Sequence, residues 1–309
     1  MHFVAVRGGS GTPRYGMAVT SHRSRALPGF RLLRAERVDP ASDTAAANCA
    51  LQTIADLARR PLSRVLRVYI ELFSRDDRAR ASAAAALRAS GFRRAPEHRS
   101  YRETLFIDLS GDEERVFARL HATGRRHVRA VGRAPVEIRP ITDPSLAPRL
   151  EILLRETFAR THGTYVGENW PAIVRFSERE PGLSRIAGLF RSDDPGPDGL
   201  LAFAWGRMHG DHADYATGAS TRPSDIRTPL GYGTIWDLVR WAKREGATWF
   251  DLGGITPGTH GSDDPLGGIS DFKRYFGGTF DEVGDEWILE PHSIAAKVAA
   301  IVSSWRARA

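Results

Sequence analysis

The sequence predicts an α/β protein of two successive parts, and three observations support this fold class. The chain has 309 residues, which corresponds to about two domains of ordinary length. Hydrophobic residues make up 41% of it and charged residues 26%, as in folded globular proteins. Helix-type and strand-type hydrophobic spacing alternate before residue 140 and alternate again after it.

The first part shows this alternation after an opening without a clear pattern. Helical spacing begins at Leu51 and gives way to the period-two pattern of a strand over 66–72. An alanine-rich helix is predicted over 76–90, and Gly91 suits the position just after its end. The segment 101–109 has the pattern of a further strand.

The second part repeats the order of elements. It comprises a helix over 146–161, a strand over 185–190, a hairpin over 200–219 with its turn at Gly210 and Asp211, a helix over 235–245 and a strand over 249–252. Ser293 is an N-cap candidate for a terminal helix, which we expect to dock on an earlier surface through its apolar stripe Ile294, Val298, Ile301 and Trp305.

A domain boundary is predicted near residue 140, because Pro135 and Pro140 bracket the passage between the two parts. The first domain is expected over 1–140, with the helix over 291–309 docked on it. The second is expected over 141–290.

The charge and the amino-acid composition restrict the partners that the protein could bind and the compartment in which it could work. The net charge of +7 favours binding to a polyanion such as nucleic acid. The chain has 41 arginines against three lysines, however, and a GC-rich genome would encode the same bias without any function. Cys49 is the sole cysteine, which excludes a disulfide within the chain and a cysteine-rich zinc module. No apolar run is long enough to span a membrane, and the opening lacks a signal-peptide core, so we expect a cytoplasmic protein.

Residues 113–134 predict one helix with an arginine-rich side. The apolar residues Phe117, Leu120, Val128 and Val131 fall on one face, and the other face carries Arg115, Arg119, Arg126, Arg129 and Arg133. Each guanidinium can direct two donors at a phosphate, so this face could follow an RNA backbone or bind a pyrophosphate. A solvated helix face is the alternative, and Gly124 and Gly132 weaken the helix.

Glycines cluster around a lysine near the end of the second part. They lie in the segments 250–255 and 269–278, on both sides of Lys273. Glycine at a strand end lets a substrate approach the backbone, and a lysine there can place positive charge beside a developing oxyanion. An ordinary surface lysine is the alternative.

A coenzyme A site is a second possibility. Gly231-Tyr232-Gly233 opens a helix and resembles the phosphate-binding turn of acetyl-CoA-dependent N-acetyltransferases. Arg227 stands one position too far from the first glycine for that motif, however, and Pro229 interrupts it.

A metal site is not expected. His209, His212 and Asp214 lie around the hairpin turn, and no second cluster completes a coordination shell. The sequence also lacks the Gly-x-Ser-x-Gly turn of serine hydrolases and the Walker loop of nucleotide-binding proteins.

Two sets of motifs resemble the FemABX family, the aminoacyltransferases that build peptidoglycan bridges. The first set comprises Gly91-Phe92, Thr104, Ile107-Asp108-Leu109 and Arg125-Arg126-x-Val128-Arg129. The second comprises Asp251-Leu252-Gly253-Gly254-Ile255, Phe272-Lys273 and Phe276-Gly277-Gly278. The resemblance covers residues 34–309 and is strongest after residue 230.

The resemblance implies two N-acetyltransferase-like domains in tandem that use aminoacyl-tRNA as co-substrate, with no cofactor. Lys273 matches the family's Phe-Lys lysine, to which stabilisation of the oxyanion or of the tRNA end is assigned. Arg125, Arg126 and Arg129 match its basic stretch, and Arg133 extends the tRNA-binding candidates. The opening is shorter than in the family, so a trimmed first domain is expected, and the helical arm of larger members is absent.

The implied acceptor is an amine of a cell-wall precursor peptide or of a small peptide or nucleoside antibiotic intermediate. We expect the substrate-binding residues in the second part, at Trp205, Arg207, Tyr215, Asp251, Gly253 and Phe272. Trp205 and Arg207 share one face of a predicted strand and could line a cleft. The alternatives to a tRNA-dependent aminoacyltransferase are an acyl-CoA N-acyltransferase and a non-catalytic RNA-binding module.

Overall fold

The computed structural model describes residues 2–60, 62–96, 101–160, 165, 167–264 and 267–306, without the side chains of residues 300 and 303–306. These residues form two compact units, one of residues 1–103 and 281–309 and the other of residues 104–280. Each unit has a β-sheet with helices packed on it, which confirms the predicted α/β class.

The first unit begins with three strands that the sequence pattern did not reveal. Its elements up to residue 94 are β1 (His2–Arg7), β2 (Pro13–Arg23), β3 (Arg31–Val38), α1 (Thr44–Arg59), β4 (Val65–Leu72), α2 (Asp77–Ala89) and β5 (Arg93–Arg94). Neighbouring strands β1, β2 and β3 are antiparallel, whereas β3 and β4 are parallel and are connected through α1. The predicted elements over 51–58, 66–72 and 76–90 are therefore confirmed.

The second unit begins at β6 (Glu103–Asp108) and contains most of the remaining elements. They are α3 (Glu113–Arg119), α4 (Ala122–Val131), β7 (Val136–Pro140), α5 (Ala147–Arg160), α6 (Trp170–Arg179), β8 (Ser184–Arg191), β9 (Leu200–His209), β10 (His212–Ser220), α7 (Gly231–Arg244), β11 (Trp249–Asp251), α8 (Gly267–Arg274) and β12 (Thr279–Glu282). Among the described residues the strands form one sheet in the order β12-β6-β11-β10-β9-β8-β7.

The chain then returns to the first unit through β13 (Glu286–Leu289) and α9 (Ser293–Arg306). Strand β13 lies between β4 and β5 and is antiparallel to both. Its Trp287 is buried in the first unit's core with Leu51 of α1 and Ile70 of β4. No helix in the described ranges is long and apolar enough to cross a lipid bilayer.

The division between the units lies at residues 103 and 104, whereas the sequence placed it near residue 140. Val116 and Leu120, which precede the predicted boundary, pack in one core with Leu238 and Phe250 of the second unit. Strand β6 also pairs with β11. Residues 104–140 therefore belong with the second sheet, and the two prolines mark only the start and the end of β7.

The segment 113–134 forms two helices, which corrects the single helix predicted from its arginine spacing. Leu120 and His121 are extended, with ψ near 149° and 147°, so α3 ends before them and α4 begins after them. Gly277 packs closely at this bend, since a Cβ on it would lie 2.8 Å from the Arg119 carbonyl oxygen. The arginines of α3 therefore do not continue the arginine face of α4.

The terminal helix α9 docks on the first unit, but through a face other than the predicted one. Ala296 and Ala299 are buried against Leu66, whereas Ile294, Val298 and Ile301 are 80%, 44% and 53% exposed. The side chain of Trp305 lies outside the described part. The small alanines allow the helix to approach the sheet closely, and this leaves the apolar stripe facing outward.

We expect Gly124 and Gly132, the two glycines of the α4 region, to respond in opposite ways to alanine. A Cβ on Gly124 would lie 1.9 Å from the Tyr275 carbonyl oxygen, whereas a Cβ on Gly132 would have 3.7 Å to its nearest neighbour. Gly124→Ala should therefore destabilise the fold by about 1–3 kcal/mol or more through overpacking. Gly132→Ala, at helical φ and ψ, should be neutral or stabilising by up to about 1 kcal/mol.

Thermal unfolding followed by circular dichroism measures both effects. A Gly124→Ala melting temperature equal to that of the unchanged protein would show that α4 does not approach Tyr275 so closely.

Candidate functional site

Two parallel strands diverge at the centre of the second sheet. Strands β10 and β11 pair from His212 and Trp249 as far as Asp214 and Asp251. Beyond this point β10 continues to Ser220 against β9, with a bulge between Tyr215 and Thr217. The chain after Asp251 no longer pairs with β10 but stays on β6, where the Leu252 N–H donates to the Leu105 carbonyl and the Leu105 N–H donates to the Gly253 carbonyl. We take this strand end as the candidate cleft, because α/β folds bind ligands at the carboxyl ends of their strands.

The buried carboxylate of Asp251 anchors the turn at this cleft. The Thr104 hydroxyl of β6 donates to its Oδ1, and so does the backbone N–H of Gly253 at 2.7 Å. Gly253 has a φ of +78°, a conformation that glycine adopts without strain. Asp251 and Gly253, predicted to bind substrate, thus shape the backbone beside the cleft.

Lys273, near the end of α8, lies directly beside this turn. Its half-buried ammonium donates to the carbonyl oxygen of Gly254 at 2.8 Å. Burial lowers the pKa of Lys273 from 10.5 to about 8, and the negative charge of Asp251 opposes part of this shift. The surroundings therefore hold a cation that loses its proton unusually easily.

Hydrogen bonds between α8 and the 252–264 loop fix the position of Lys273. The Ser270 hydroxyl lies 3.0 Å from both the N–H and the side-chain oxygen of Thr256. Arg274 donates to the Gly258 carbonyl, and Asp271 accepts the His260 N–H at 2.8 Å. Helix α8 and the loop after β11 thus form one hydrogen-bonded structure.

An aromatic cluster packs beside Lys273 at the start of α7. The Phe272 ring lies edge-on to Tyr232 with a centroid separation of 4.8 Å, and Tyr232 stacks on Phe276 at 5.3 Å. Phe272, predicted to bind substrate, is half-buried in this cluster and lies against Gly231. Tyr232 was not predicted, although its position between two glycines at a helix start singled out that segment.

The hairpin residues proposed for the acceptor lie on opposite faces of the sheet. Trp205 and Arg207 share one face, where the Arg207 guanidinium forms an ion pair with Asp214 and the Trp205 indole N–H donates to Ser184. Tyr215 is paired with Gly206 in the register, so it points to the other face and joins the core beneath α7. Burial raises the pKa of the Tyr215 hydroxyl. Only Tyr215 lies on the face that carries Phe272.

The basic residues of α4 have different environments. Arg125 donates to the carbonyl oxygens of Ala118 and Leu120, so it closes the end of α3. Arg129 lies over the Phe117 ring at 5.1 Å. Arg126, Arg129 and Arg133 are all exposed, and Arg133 follows the end of α4. These three arginines can therefore meet a large anion.

The histidines near the hairpin turn pack as aromatic rings. His212 stacks on Trp249 at 4.1 Å and on His209 at 5.3 Å, and its Nδ1 lies 2.9 Å from Asp211. Within the described ranges no three His, Cys, Asp or Glu side chains form a group that could hold a metal ion.

The turn considered for coenzyme A is closely packed. A Cβ on Gly233 would lie 2.6 Å from Val131 of α4, and the Cα of Gly231 faces the Phe272 ring. Both glycines therefore allow close packing between elements. The N-terminus of α7 has no side-chain cap, so its first backbone N–H groups donate to no capping side chain.

We predict that Lys273 titrates near pH 8. With only three lysines in the chain, ¹³Cε-lysine NMR gives a small set of signals, and Lys273→Arg identifies the one concerned. Asp251→Asn should lower this pKa further, because the carboxylate raises it at present. A Lys273 signal that titrates at the ordinary value of 10.5 would show that the ammonium is solvated.

No protein-family model and no curated protein matches this sequence. FemX has a similar structure, with a TM-score of 0.76 and 15% identity over 96% of this chain and 90% of its own. The C-terminal domain of a putative lysylphosphatidylglycerol synthetase from Agrobacterium fabrum gives a TM-score of 0.52 at 13% identity, over 97% of this chain and 87% of its own. L-PGS from Bacillus licheniformis gives a TM-score of 0.52 at 12% identity, over 97% of this chain and 88% of its own.

Identities at this level establish a common fold only. The chain has the fold of FemX, with one sheet in each of its two units, which agrees with the resemblance of its motifs to the FemABX family.

Proposed function

We propose that the protein is an aminoacyl-tRNA-dependent aminoacyltransferase that forms an amide bond on an acceptor amine. The observation that carries the proposal is the half-buried Lys273 ammonium on the Gly254 carbonyl, at the point where β10 and β11 diverge. The FemX-like fold supports the same assignment.

In the proposed reaction the acceptor nitrogen attacks the carbonyl carbon of the aminoacyl ester. The C–N bond forms, the ester C–O bond breaks, and the ribose hydroxyl leaves with the proton that the amine loses. The tetrahedral intermediate carries negative charge on the former carbonyl oxygen. A donor already fixed beside that oxygen lowers the barrier most, because it need not reorganise during the reaction.

Lys273 has the properties of such a donor. One of its three N–H groups is directed to Gly254, which holds the ammonium in place while other protons can meet the oxyanion. Since burial lowers its pKa to about 8, the charged form carries a desolvation cost that a neighbouring oxyanion would offset. The protonated form is therefore the active form in this proposal.

Charge and packing support tRNA as the donor of the aminoacyl group. Arg126 and Arg133 are exposed on the unit that contains Lys273, and the whole chain has a net charge of +7. The glycines of the α7 turn face Val131 and Phe272, which restricts the approach of a pyrophosphate to that turn from those sides.

An amine of a peptide, nucleoside or cell-wall precursor is the proposed acceptor. Tyr215 and Phe272 lie on the same face of the sheet as α7, so an acceptor placed along this face would reach the cleft beside Lys273. Arg207 is already neutralised by Asp214 on the opposite face. We therefore assign the acceptor contacts to Tyr215 and Phe272 in preference to Trp205 and Arg207. We propose that the reaction takes place in the cytoplasm.

An acyl-CoA N-acyltransferase is the second candidate. One observation favours it, the absence of a side-chain cap at the N-terminus of α7, because uncapped N–H groups at a helix start bind phosphate. Lys273 would serve an acyl thioester equally well, so the two candidates differ in the donor that they require.

Lys273→Met should lower single-turnover transfer from saturating charged tRNA by about 100-fold or more and leave tRNA affinity nearly unchanged. The reason is that a charge aimed at the oxyanion acts mainly in the transition state. Lys273→Arg is the matched variant, because arginine keeps its charge at every accessible pH. Circular dichroism confirms that both variants fold.

The ratio of the unchanged protein's rate to that of Lys273→Arg should fall as the pH rises through about 8, where Lys273 loses its proton. Taking this ratio cancels the ionisation of the acceptor amine. A ratio that rises with pH would make neutral Lys273 a base, and equal rates in Lys273→Met would remove it from the reaction.

Replacing Arg126 and Arg133 together by glutamine should weaken tRNA binding and reduce its salt dependence. Each lost phosphate contact lowers the slope of log K against log salt by about 0.7–0.9. Arg175→Gln is the control, because Arg175 is an exposed residue of α6 in the same unit, and it should leave the slope unchanged. Arg125→Gln should lower the melting temperature, since Arg125 bonds the end of α3. An unchanged slope in the double variant would contradict the assignment and favour the coenzyme A candidate.

A further inference from the structure

The terminal helix α9 exposes an apolar stripe along one side. Ile294, Val298 and Ile301 follow one another at helical spacing and are 80%, 44% and 53% exposed. On the far side of the helix, Ala296 and Ala299 are buried against Leu66 and the 26–32 segment. The stripe therefore points directly away from the surface on which the helix rests.

The segments around α9 carry only positive charge. Within the described residues, 24–31, 59–60, 62–66 and 291–302 contain no aspartate or glutamate but contain six basic residues, namely Arg25, Arg31, Arg59, Arg60, Arg64 and Lys297, of which Arg59 is paired with Asp56 of α1. The structure brings these segments together, because Ala26 and Phe30 pack with the α9 alanines and the Arg31 N–H donates to the Arg64 carbonyl. Leu62, between Arg60 and Arg64, is 93% exposed.

We propose that α9 and these flanking loops bind the surface of an anionic lipid bilayer. A helix that lies in the membrane interface presents aliphatic side chains to the acyl boundary and basic side chains to anionic headgroups, and this surface presents both. Lys297 lies beside the stripe, where its long side chain can reach the headgroups while the isoleucines enter the apolar layer.

Charge and side-chain chemistry disfavour the other occupants. A second copy of the chain would bring two acid-free basic surfaces together, and like charges at an interface repel. An RNA strand would match the charge, but Ile294 and Val298 offer neither a stacking surface for bases nor donors for phosphates. An anionic bilayer would contact both the apolar stripe and the basic side chains.

Cosedimentation of the full chain with vesicles tests the proposal. Vesicles of phosphatidylcholine with phosphatidylglycerol should bind the protein, and vesicles of phosphatidylcholine alone should bind it at least about tenfold less strongly. Ile294→Glu combined with Val298→Glu should lower binding to the anionic vesicles at least about tenfold. Ile152→Glu is the matched control on α5, where the side chain is 46% exposed, and should bind as the unchanged protein does.

Three results would overturn the proposal. The first is a chain that stays in the supernatant with both kinds of vesicle, and the second is equal vesicle binding by the double variant. The third is evidence that the stripe binds something else: either the chain forms a concentration-dependent dimer that the double variant abolishes, or it binds tRNA in a way that the double variant abolishes. None of these readouts requires transfer activity, so failure here leaves the proposed function untouched.

Discussion

The organisation of the second unit depends on the point where one β ladder ends. Pairing between β10 and β11 stops at Asp214 and Asp251, and the buried Asp251 carboxylate then accepts the N–H of Gly253. This contact fixes the turn at the strand end, and the Gly254 carbonyl that follows accepts a hydrogen bond from the Lys273 ammonium. The loop after Gly254 then bonds to α8, so the strand end, the loop and the lysine form one rigid arrangement. A buried carboxylate is costly unless it is hydrogen-bonded, and here its bonds define the site.

Close approach between backbones extends this arrangement to the rest of the unit. Gly124 lets α4 meet the carbonyl of Tyr275, and Gly278 lets the segment after α8 meet the carbonyl of Phe106 in β6. Both contacts lie within a few residues of Lys273. The glycines of the Phe-Gly-Gly motif thus hold the lysine-bearing helix against the sheet.

Elements with long and regular hydrophobic spacing could be predicted from the sequence. Helix α7 was predicted from its apolar stripe, α2 from its alanine-rich sequence ending at Gly91, and the β9–β10 hairpin from its turn residues. Lys273 stood out in a chain with three lysines. Strand β1 was missed because none of its residues is fully buried, whereas the alternation of the buried Tyr15, Met17 and Val19 in β2 was a signal that could have been recognised. The break between α3 and α4 was also invisible, since it depends on Gly277, which is distant in sequence. Likewise, alanines could not be recognised as the docking face of α9 while a stronger apolar stripe lay opposite.

Prediction of the candidate site from the sequence is limited in the same way. Alternation correctly placed Trp205 and Arg207 on one face of β9, but only the strand register shows that Asp214 neutralises Arg207 and that Tyr215 lies on the other side. Of the predicted tRNA-binding arginines, Arg125 is committed to carbonyl groups of its own unit. Composition therefore indicated positive charge, whereas packing decides which of these charges can meet a partner.

The central claim is that the cleft beside Lys273 transfers an aminoacyl group from tRNA. The most direct measurement follows labelled amino acids from a pool of charged tRNAs into small-molecule amines of a cell extract, with RNase and coenzyme A controls. We expect transfer of label that RNase abolishes and that coenzyme A or acetyl-CoA neither supports nor inhibits. Transfer that survives RNase and requires an acyl-CoA, or no transfer from any charged tRNA, would contradict it.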